Sequence, residues 1–244
     1  MNFYIADLHF GHKNVINFDR RPFADVDEMD QKLIEYWNAR VSNQDDVYIV
    51  GDLCCRNEKP EEWYLSRLKG RKHLIIGNHD GKLLKNDTAM GYIQTKDKMM
   101  HVKDGKNHIC VCHYPILEWN GYYKGHWHIY GHIHNHQNGT YAIMKDLDRA
   151  LNAGCMINHY MPATFEELVR NNQFFRTEVG LPIVPALQPM PEDEQESMTE
   201  TVKETVPAQG NVIRELQAGE FQCAQRILTQ QEIDALIRKL LGDR

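Results

Sequence analysis

The sequence of 244 residues lacks the features that would assign it to several specialised classes of protein. It has no apolar run near the roughly 20 residues that are needed to span a bilayer. Its start, MNFYIADLHF, has no basic residue and already contains Asp7, so we expect no cleavable signal peptide. None of its six cysteines forms a C-x-x-C pair, which predicts reduced thiols. We therefore expect a cytoplasmic protein without a membrane segment.

The sequence also lacks an excess of positive charge. Residues 1–175 contain 21 basic and 22 acidic residues, whereas residues 176–244 contain 7 and 12. The nearly neutral first part offers no broad basic surface for a nucleic-acid backbone, although a local basic cleft remains possible. Hydrophobic residues make up 42% of the chain and charged residues 25%, which is typical of a globular protein.

The first 175 residues alternate short apolar runs with helical patterns. Val26, Met29, Leu33 and Trp37 recur at helical spacing, and Asp104-Gly105 between two apolar runs predicts a hairpin. Strands that alternate with helices, together with a hairpin, predict an α/β fold built on mixed sheets. The runs that we interpret as buried strands are FYIA, VYIV (47–50), HLIIG (73–77), ICVCH (109–113) and HIYG (128–131).

The amino-acid composition of the chain changes after Phe175. Five of the nine prolines fall between Pro182 and Pro207, around an acidic stretch, so we predict a flexible linker over 176–210. The segment 211–244 contains a capped amphipathic pattern, ILTQQEIDALIRKLLG, with one apolar stripe. A helix this short needs a surface to dock on. Residues 228–241 are therefore predicted to bind a protein partner, to self-associate or to pack on their own domain.

Histidines are concentrated in one short stretch. Residues 126–136 read HWHIYGHIHNH, with apolar side chains between five histidines. A solvated loop does not need these apolar residues, and a structural strand does not need so many imidazoles, so the pattern indicates a metal site. The other ligands must come from elsewhere in the chain.

Polar side chains follow each predicted strand at the point where it ends. Asp7 and His9 lie two apart after the first strand, and Asp52 follows the second. The carboxyl ends of strands converge on the functional crevice in open α/β sheets. The remaining strands end in Gly77-Asn78-His79-Asp80, His113 and Gly131-His132-Ile133-His134.

The ordered set D-x-H, G-D, G-N-H-D, H and G-H-x-H resembles that of the calcineurin-like metallophosphoesterases. The flanking text, such as DLHFGHKNVI, VYIVGD, HLIIGNHD and YGHIH, is similar to that of their small bacterial and phage members. This resemblance covers about residues 1–172 and implies two β-sheets packed face to face with flanking helices. By the same resemblance, Asp7, His9 and His134 bind one metal, Asn78, His113 and His132 bind a second, and Asp52 bridges both.

The ligand set defines the chemistry. Imidazole, carboxylate and amide oxygen without thiolate suit Mn, Fe, Co, Ni or Zn. Two such cations about 3.5–4 Å apart can clamp a phosphoryl group and supply the nucleophile for in-line attack. His79, by resemblance to the family, donates a hydrogen bond or proton to the leaving oxygen.

The chain departs from the protein-phosphatase branch of the family at one position. That branch continues G-D-x-x-D-R-G, whereas this chain reads GDLCCRN, so Cys55 replaces the aspartate that orients the catalytic histidine. We therefore expect another group to orient His79. Arg56 stands where the family has an arginine that contacts phosphate. His12 either faces the substrate or stabilises its loop, and His128 is either near the site or a plain strand residue.

These features predict a dinuclear metal-dependent hydrolase of phosphate esters, with a preference for phosphodiesters of nucleotide-like substrates. The alternatives are a phosphomonoesterase or protein-phosphatase-like enzyme, and a catalytically silent metal-binding scaffold that recruits a partner through its C-terminal helix.

Overall fold

The computed structural model describes residues 1–177, which form two four-stranded β-sheets. Nearly all of the linker predicted at 176–210 lies outside the described residues. The segment predicted at 211–244, with its docking helix at 228–241, lies outside them entirely. No helix among the described residues is long and apolar enough to cross a membrane.

All four strands of the first sheet run parallel, in the order β1–β2–β3–β4. The expectation of mixed sheets therefore holds for only one of the two, because every connection in the first sheet is a crossover that contains a helix. β4 was not predicted, since its sequence IQTKD is mostly polar and exposed. The strands are β1 (Asn2–Ile5), β2 (Asp46–Ile49), β3 (Arg71–Ile75) and β4 (Ile93–Asp97).

The second sheet is mixed, in the order β5–β6–β7–β8. β5 and β6 form the antiparallel hairpin that Asp104-Gly105 predicts, whereas the other two pairings are parallel. The strands are β5 (Met99–Asp104), β6 (Asn107–Cys112), β7 (Trp127–Tyr130) and β8 (Ala150–Asn152).

The two sheets pack face to face, as predicted. One buried cluster combines Val50 and Ile75 of the first sheet region with Val111, Ile129 and Leu151 of the second. Two isolated backbone bridges, between Tyr4 and Ala163 and between Ala6 and Gly154, connect β1 and the residue after it to the segment that follows the second sheet.

The helices pack against the sheets. The longest, α2, begins after Asp25, whose side chain accepts a hydrogen bond from the Glu28 amide, and it buries Met29, Leu33 and Trp37. The helix near the end of the described chain, α6, begins with a capping box between Thr164 and Glu167. The helices are α1 (Val15–Phe18), α2 (Val26–Arg40), α3 (Glu61–Leu65), α4 (Asp87–Met90), α5 (Gly139–Met144) and α6 (Phe165–Arg176). Two 3₁₀ turns lie at Leu83–Lys85 and Tyr122–Lys124.

Candidate metal centre

The seven predicted metal ligands lie together, on the loops that follow β1, β2, β3, β6 and β7. The ligand atoms of Asp7, His9 and His134 all lie within 4.8 Å of one another, and so do those of Asp7, Asp52 and His113. Asp7, Asp52 and His113 are almost fully buried. The strand-end pattern in the sequence thus corresponds to one constellation in space.

In the group predicted for the first ion, His9 Nε2 lies 3.1 Å from His134 Nε2. The opposite nitrogen of His134, Nδ1, lies 2.8 and 2.9 Å from the two carboxylate oxygens of Asp19. With its Nδ1 proton donated to Asp19, His134 presents the Nε2 lone pair towards His9. The Nδ1 atom of His9 is buried and has no hydrogen-bond partner among residues 1–177.

In the group predicted for the second ion, the Oδ1 atom of Asn78 lies between two imidazoles. It is 3.0 Å from His113 Nε2 and 3.1 Å from His132 Nδ1. His113 Nδ1 lies 2.8 Å from the carbonyl oxygen of Val50, so this nitrogen donates and Nε2 faces the centre. Three acceptor atoms therefore converge, since Asp52 Oδ2 is 3.4 Å from the same Nε2.

The electrostatics of these residues favour a bound cation. Burial opposes protonation of His113, yet the Asp52 carboxylate outweighs it and raises the pKa of His113 to about 9. Burial also favours the neutral acid at Asp52, but the imidazoles of His113 and His9 lower the pKa of this carboxyl far below its usual range. Burial lowers the pKa of His132 to about 4. A proton on His113 and a divalent cation satisfy the same acceptors, so the residues present fit a metal site.

The loops that carry these ligands are held in an unusual backbone conformation. Asp7, His9, Asp52, His132 and His134 all have φ between 51° and 70°. Non-glycine residues rarely adopt this left-handed region, and each such residue costs about 1–3 kcal/mol. Such strain at the ligand positions is typical of a functional site.

Two glycines of the motifs allow the loops to approach each other. A Cβ atom on Gly77 would lie 2.2 Å from Asp52 Oδ1. A Cβ atom on Gly51, where φ is +85°, would lie 2.3 Å from His113 Nδ1. Each glycine therefore precedes a ligand-bearing loop that a larger residue would displace.

His79 lies beside the ligands without belonging to either group. Its backbone amide donates to Asp52 Oδ1 at 2.9 Å, and its ring centroid is 5.3 Å from that of His9. The sequence led us to expect that a group other than Cys55 would orient His79. The structure instead places Cys55 Sγ itself 3.6 Å from His79 Nδ1.

The two predicted substrate contacts line a cavity of about 290 Å³. His12 is buried and Arg56 is exposed. The walls also carry two lysines and three carboxylates, of which Asp27 pairs with Lys59; these residues are Lys13, Lys59, Asp27, Asp30 and Glu58. Burial lowers the pKa of His12 to about 4, assisted by the charges of His79 and Arg56. His12 is therefore a neutral imidazole at ordinary pH.

The remaining histidines of the 126–136 stretch have different surroundings. His128 is fully buried in β7, where Nδ1 lies 3.0 Å from the Cys110 carbonyl and Nε2 accepts from the Ile116 amide at 3.2 Å. It is a strand residue of the core. His126 stacks on His108 with a centroid distance of 5.0 Å, whereas His136 Nε2 lies 3.3 Å from Asp19 Oδ1.

Sequence reasoning missed three buried charged residues that support these loops. Asp19 and Arg21 lie behind His134. Asp80 was identified only as part of G-N-H-D, but its carboxylate accepts from the amides of Gly77, Asp52 and Leu53 at 2.8–3.0 Å. Burial and the nearby Asp52 raise the pKa of Asp80 to about 6. Polarity at these positions is visible in the sequence, but their burial is not.

Comparison with known proteins agrees with this geometry. The model of the calcineurin-like phosphoesterase family matches residues 3–102, which include the D-x-H, G-D and G-N-H-D motifs. Over these residues the chain is similar to the calcineurin-like phosphoesterases. The predicted family and fold are confirmed, and so is the enzyme class, a metal-dependent phosphoesterase.

Relatives of this chain come from an archaeon and from phages. The uncharacterized protein MJ1445 of Methanocaldococcus jannaschii is 29% identical over 170 residues, which are 69% of this chain and 89% of the relative. The Gene 66 protein of Mycobacterium phage L5 is 38% identical over 81 residues, or 32% of this chain and 39% of the relative.

A solved structure has a similar fold. The protein of unknown function AQ665 from Aquifex aeolicus has a TM-score of 0.54 at 24% identity, over 70% of this chain and 98% of that protein. At this identity the likeness concerns the fold alone.

Proposed function

We propose that the chain hydrolyses phosphodiesters of nucleotide-like substrates at a centre of two divalent ions. One observation carries the proposal of two ions. A single oxygen, Asp52 Oδ2, lies 3.4 Å from Nε2 of His113 and 3.7 Å from Nε2 of His9. One carboxylate therefore reaches a nitrogen of each ligand group, as a bridging ligand must. Mn, Fe, Co, Ni and Zn suit the donors, which include no thiolate within these groups.

Two ions held by these ligands would supply positive charge for the phosphoryl oxygens and would activate the attacking water. The residues of the chain provide orientation and proton transfer. His79 lies beside His9 and Asp52 but contributes to neither ligand group, so it is free to donate to the leaving oxygen. Arg56 and His12 line the adjoining cavity, where Arg56 offers a planar set of donors to a phosphate.

A nucleotide-like substrate is supported by an aromatic surface at the centre. Tyr114 directly follows His113, and its ring centroid lies 4.7 Å from that of His132. Tyr114 is 45% exposed, so it contacts the predicted ligand histidine on one side and also reaches solvent. A nucleobase can stack on such a ring, which contributes about 1–3 kcal/mol.

Two alternatives have weaker support. A protein-phosphatase-like reaction is disfavoured by Cys55, which stands in place of an aspartate and contacts His79. A catalytically silent scaffold does not require seven clustered metal-binding side chains with His79, the proposed general acid, beside them. The helix through which such a scaffold would bind its partner, predicted at 228–241, lies outside the described residues. We also propose, from the sequence, that the protein is cytoplasmic.

A substrate panel tests the proposal. The full chain is stripped with a chelator, reloaded separately with Mn²⁺, Ni²⁺, Zn²⁺ and Mg²⁺, and assayed on cyclic and linear nucleotide diesters, nitrophenyl diesters and matched monoesters. We expect higher kcat/KM for nucleotide diesters than for nitrophenyl diesters or monoesters. Tyr114→Ala should remove the advantage of the nucleobase, whereas Tyr123→Ala, at an 84% exposed ring, should not. A preference for monoesters with every metal would contradict the proposal.

A further inference from the structure

We propose that Asp19 and Arg21 form a clamp that positions His134 and the D-L-H loop, and that this clamp sets the affinity of the ion bound by His134. This inference rests on the proposed metal centre, because it takes His134 as a ligand. Neither residue contributes to the predicted ligand set, so both are positioning residues.

The Asp19 carboxylate fixes the orientation of the His134 ring. Both of its oxygens lie within 2.9 Å of His134 Nδ1, on the side of the ring that faces away from the centre. A carboxylate in this place keeps the proton on Nδ1 and makes Nε2 a better donor to a cation. The same carboxylate lies 3.3 Å from His136 Nε2, so it also holds the end of the loop.

Arg21 connects this carboxylate to the opposite loop. Its Nε and Nη2 atoms donate to Asp19 Oδ2 at 3.1 and 2.9 Å. Its Nη1 donates to the carbonyl oxygen of Leu8 at 2.8 Å, and Nη2 also donates to that of Asp7 at 2.9 Å. One guanidinium group thus joins the backbone of the D-L-H loop to the partner of His134.

The location of this pair indicates a role in metal binding. Its side chains are no more than 1% exposed, and the charges of a buried pair lose much hydration, so such a pair adds little net stability. What the pair provides is a fixed distance between the two loops that supply Asp7, His9 and His134. These three are the ligands predicted for one ion. The hydrogen bonds of the other group, at His113, His132 and Asn78, join its members to each other and to Val50.

The test compares ion affinity with stability in the full chain. Asp19→Asn keeps the shape but removes the charge, which leaves Arg21 buried without its ion-pair partner. The double variant Asp19→Asn/Arg21→Met removes both charges. Asp45→Asn is the matched control, because Asp45 is also a buried carboxylate but pairs with the N-terminus and Ser42. Ions per chain and their affinities are measured by competition titration with Mn²⁺, and the ligand field of each ion by Co²⁺ absorption. The unfolding midpoint is measured in a chelator.

We expect Asp19→Asn to lower the binding affinity for one of the two ions by roughly 10–100-fold and to alter the Co²⁺ absorption spectrum at that site. The affinity and the spectrum of the other ion should stay unchanged. The double variant should recover much of the lost unfolding midpoint but not the ion affinity. Asp45→Asn should bind both ions normally. If Asp19→Asn and the double variant unfold at lower temperature yet bind both ions with wild-type affinity, the pair is only structural and the inference is wrong.

His134→Ala separates failure of this inference from failure of the proposed centre. Loss of one ion in His134→Ala, with normal binding in both Asp19 variants, overturns the clamp alone. Retention of both ions in His134→Ala overturns the ligand assignment itself.

Discussion

The candidate metal centre has two halves, which are the two predicted ligand groups that contain His134 and His113. In the first half, the Nδ1 atom of His134 donates to the buried carboxylate of Asp19. In the second half, the Nδ1 atom of His113 donates to the backbone carbonyl of Val50. The first arrangement requires a second buried charge, Arg21, to compensate the carboxylate. The second requires none, because a backbone carbonyl is neutral and is fixed by the fold. A single substitution can therefore remove the support of His134, but no side-chain substitution removes the carbonyl that supports His113.

The largest effect is expected at Asp52, which belongs to both halves. Asp52→Asn removes the charge that the two proposed ions would share, so hydrolysis should fall by more than ~10⁴-fold, beyond the contribution of a positioned acid. Metal content, measured after dialysis, should fall from two ions per chain towards one or none. Wild-type turnover with full metal content would mean that Asp52 does not bridge the halves.

His79 belongs to neither half, so its loss should leave both ions in place. His79→Gln is expected to lower kcat by roughly 10²–10⁴, the scale of a general acid or base. The loss should be smaller on nitrophenyl esters, whose leaving groups need less protonation, than on alkyl esters. Equal losses of kcat on nitrophenyl and alkyl esters would mean that His79 stabilises charge instead. Loss of metal from the variant would mean that His79 belongs to one of the two ligand groups.

Cys55 contacts His79 as Asp19 contacts His134, but through a thiol group. A single hydrogen bond contributes about 0.5–1.5 kcal/mol, so Cys55→Ala should lower kcat by roughly 2–10-fold. Metal content should stay at the wild-type value, which separates this contact from the support of a ligand. Cys110→Ala, in the buried strand β6, serves as the control for loss of a core thiol. If both variants lower kcat equally, the effect arises from packing.

The smallest effect is expected at the other Asp–Arg pair, at the opposite end of the first sheet. Asp46 and Arg71 are partly exposed and pair at 2.5 Å, and this hydrogen bond lowers the pKa of Asp46 to about 2. A lowered carboxyl pKa contributes stability that is present above the unfolded value of about 3.9 and is lost as the pH falls through about 2. Asp46→Asn should therefore cost at most ~1 kcal/mol at pH 7, and this difference should shrink as the pH falls towards 2 and vanish below it. Urea unfolding across this pH range measures it, and a constant difference would exclude the pair as its cause.

Most of the elements that bury apolar residues could be predicted from the sequence. The strands that lead into the ligand loops were found because buried parallel strands are continuous apolar runs, and α2 was found because Met29, Leu33 and Trp37 share one face. β4 was missed because an exposed edge strand has no such signature.

Support of the ligands was much harder to predict than the ligands themselves. Polar residues directly after buried strands mark Asp52 and His113 locally. Asp19 lies 115 positions from His134 in the sequence, and nothing near it indicates that distant partner. The contact of Cys55 with His79 was missed for a related reason, since comparison of motifs shows which residue is replaced but not what the replacement touches.

The left-handed backbone at the ligands bears on how this domain changes over evolutionary time. Aspartate and asparagine both tolerate that conformation, whereas β-branched and bulky residues do not. At Asp7 and Asp52, where φ is 57° and 56°, a change to asparagine therefore preserves the loop and discards only the charge. Among descendants of such a domain that no longer hydrolyse esters, asparagine or glycine at these two positions is the expected trace. The conformation of these loops would then be retained after the hydrolytic activity had been lost.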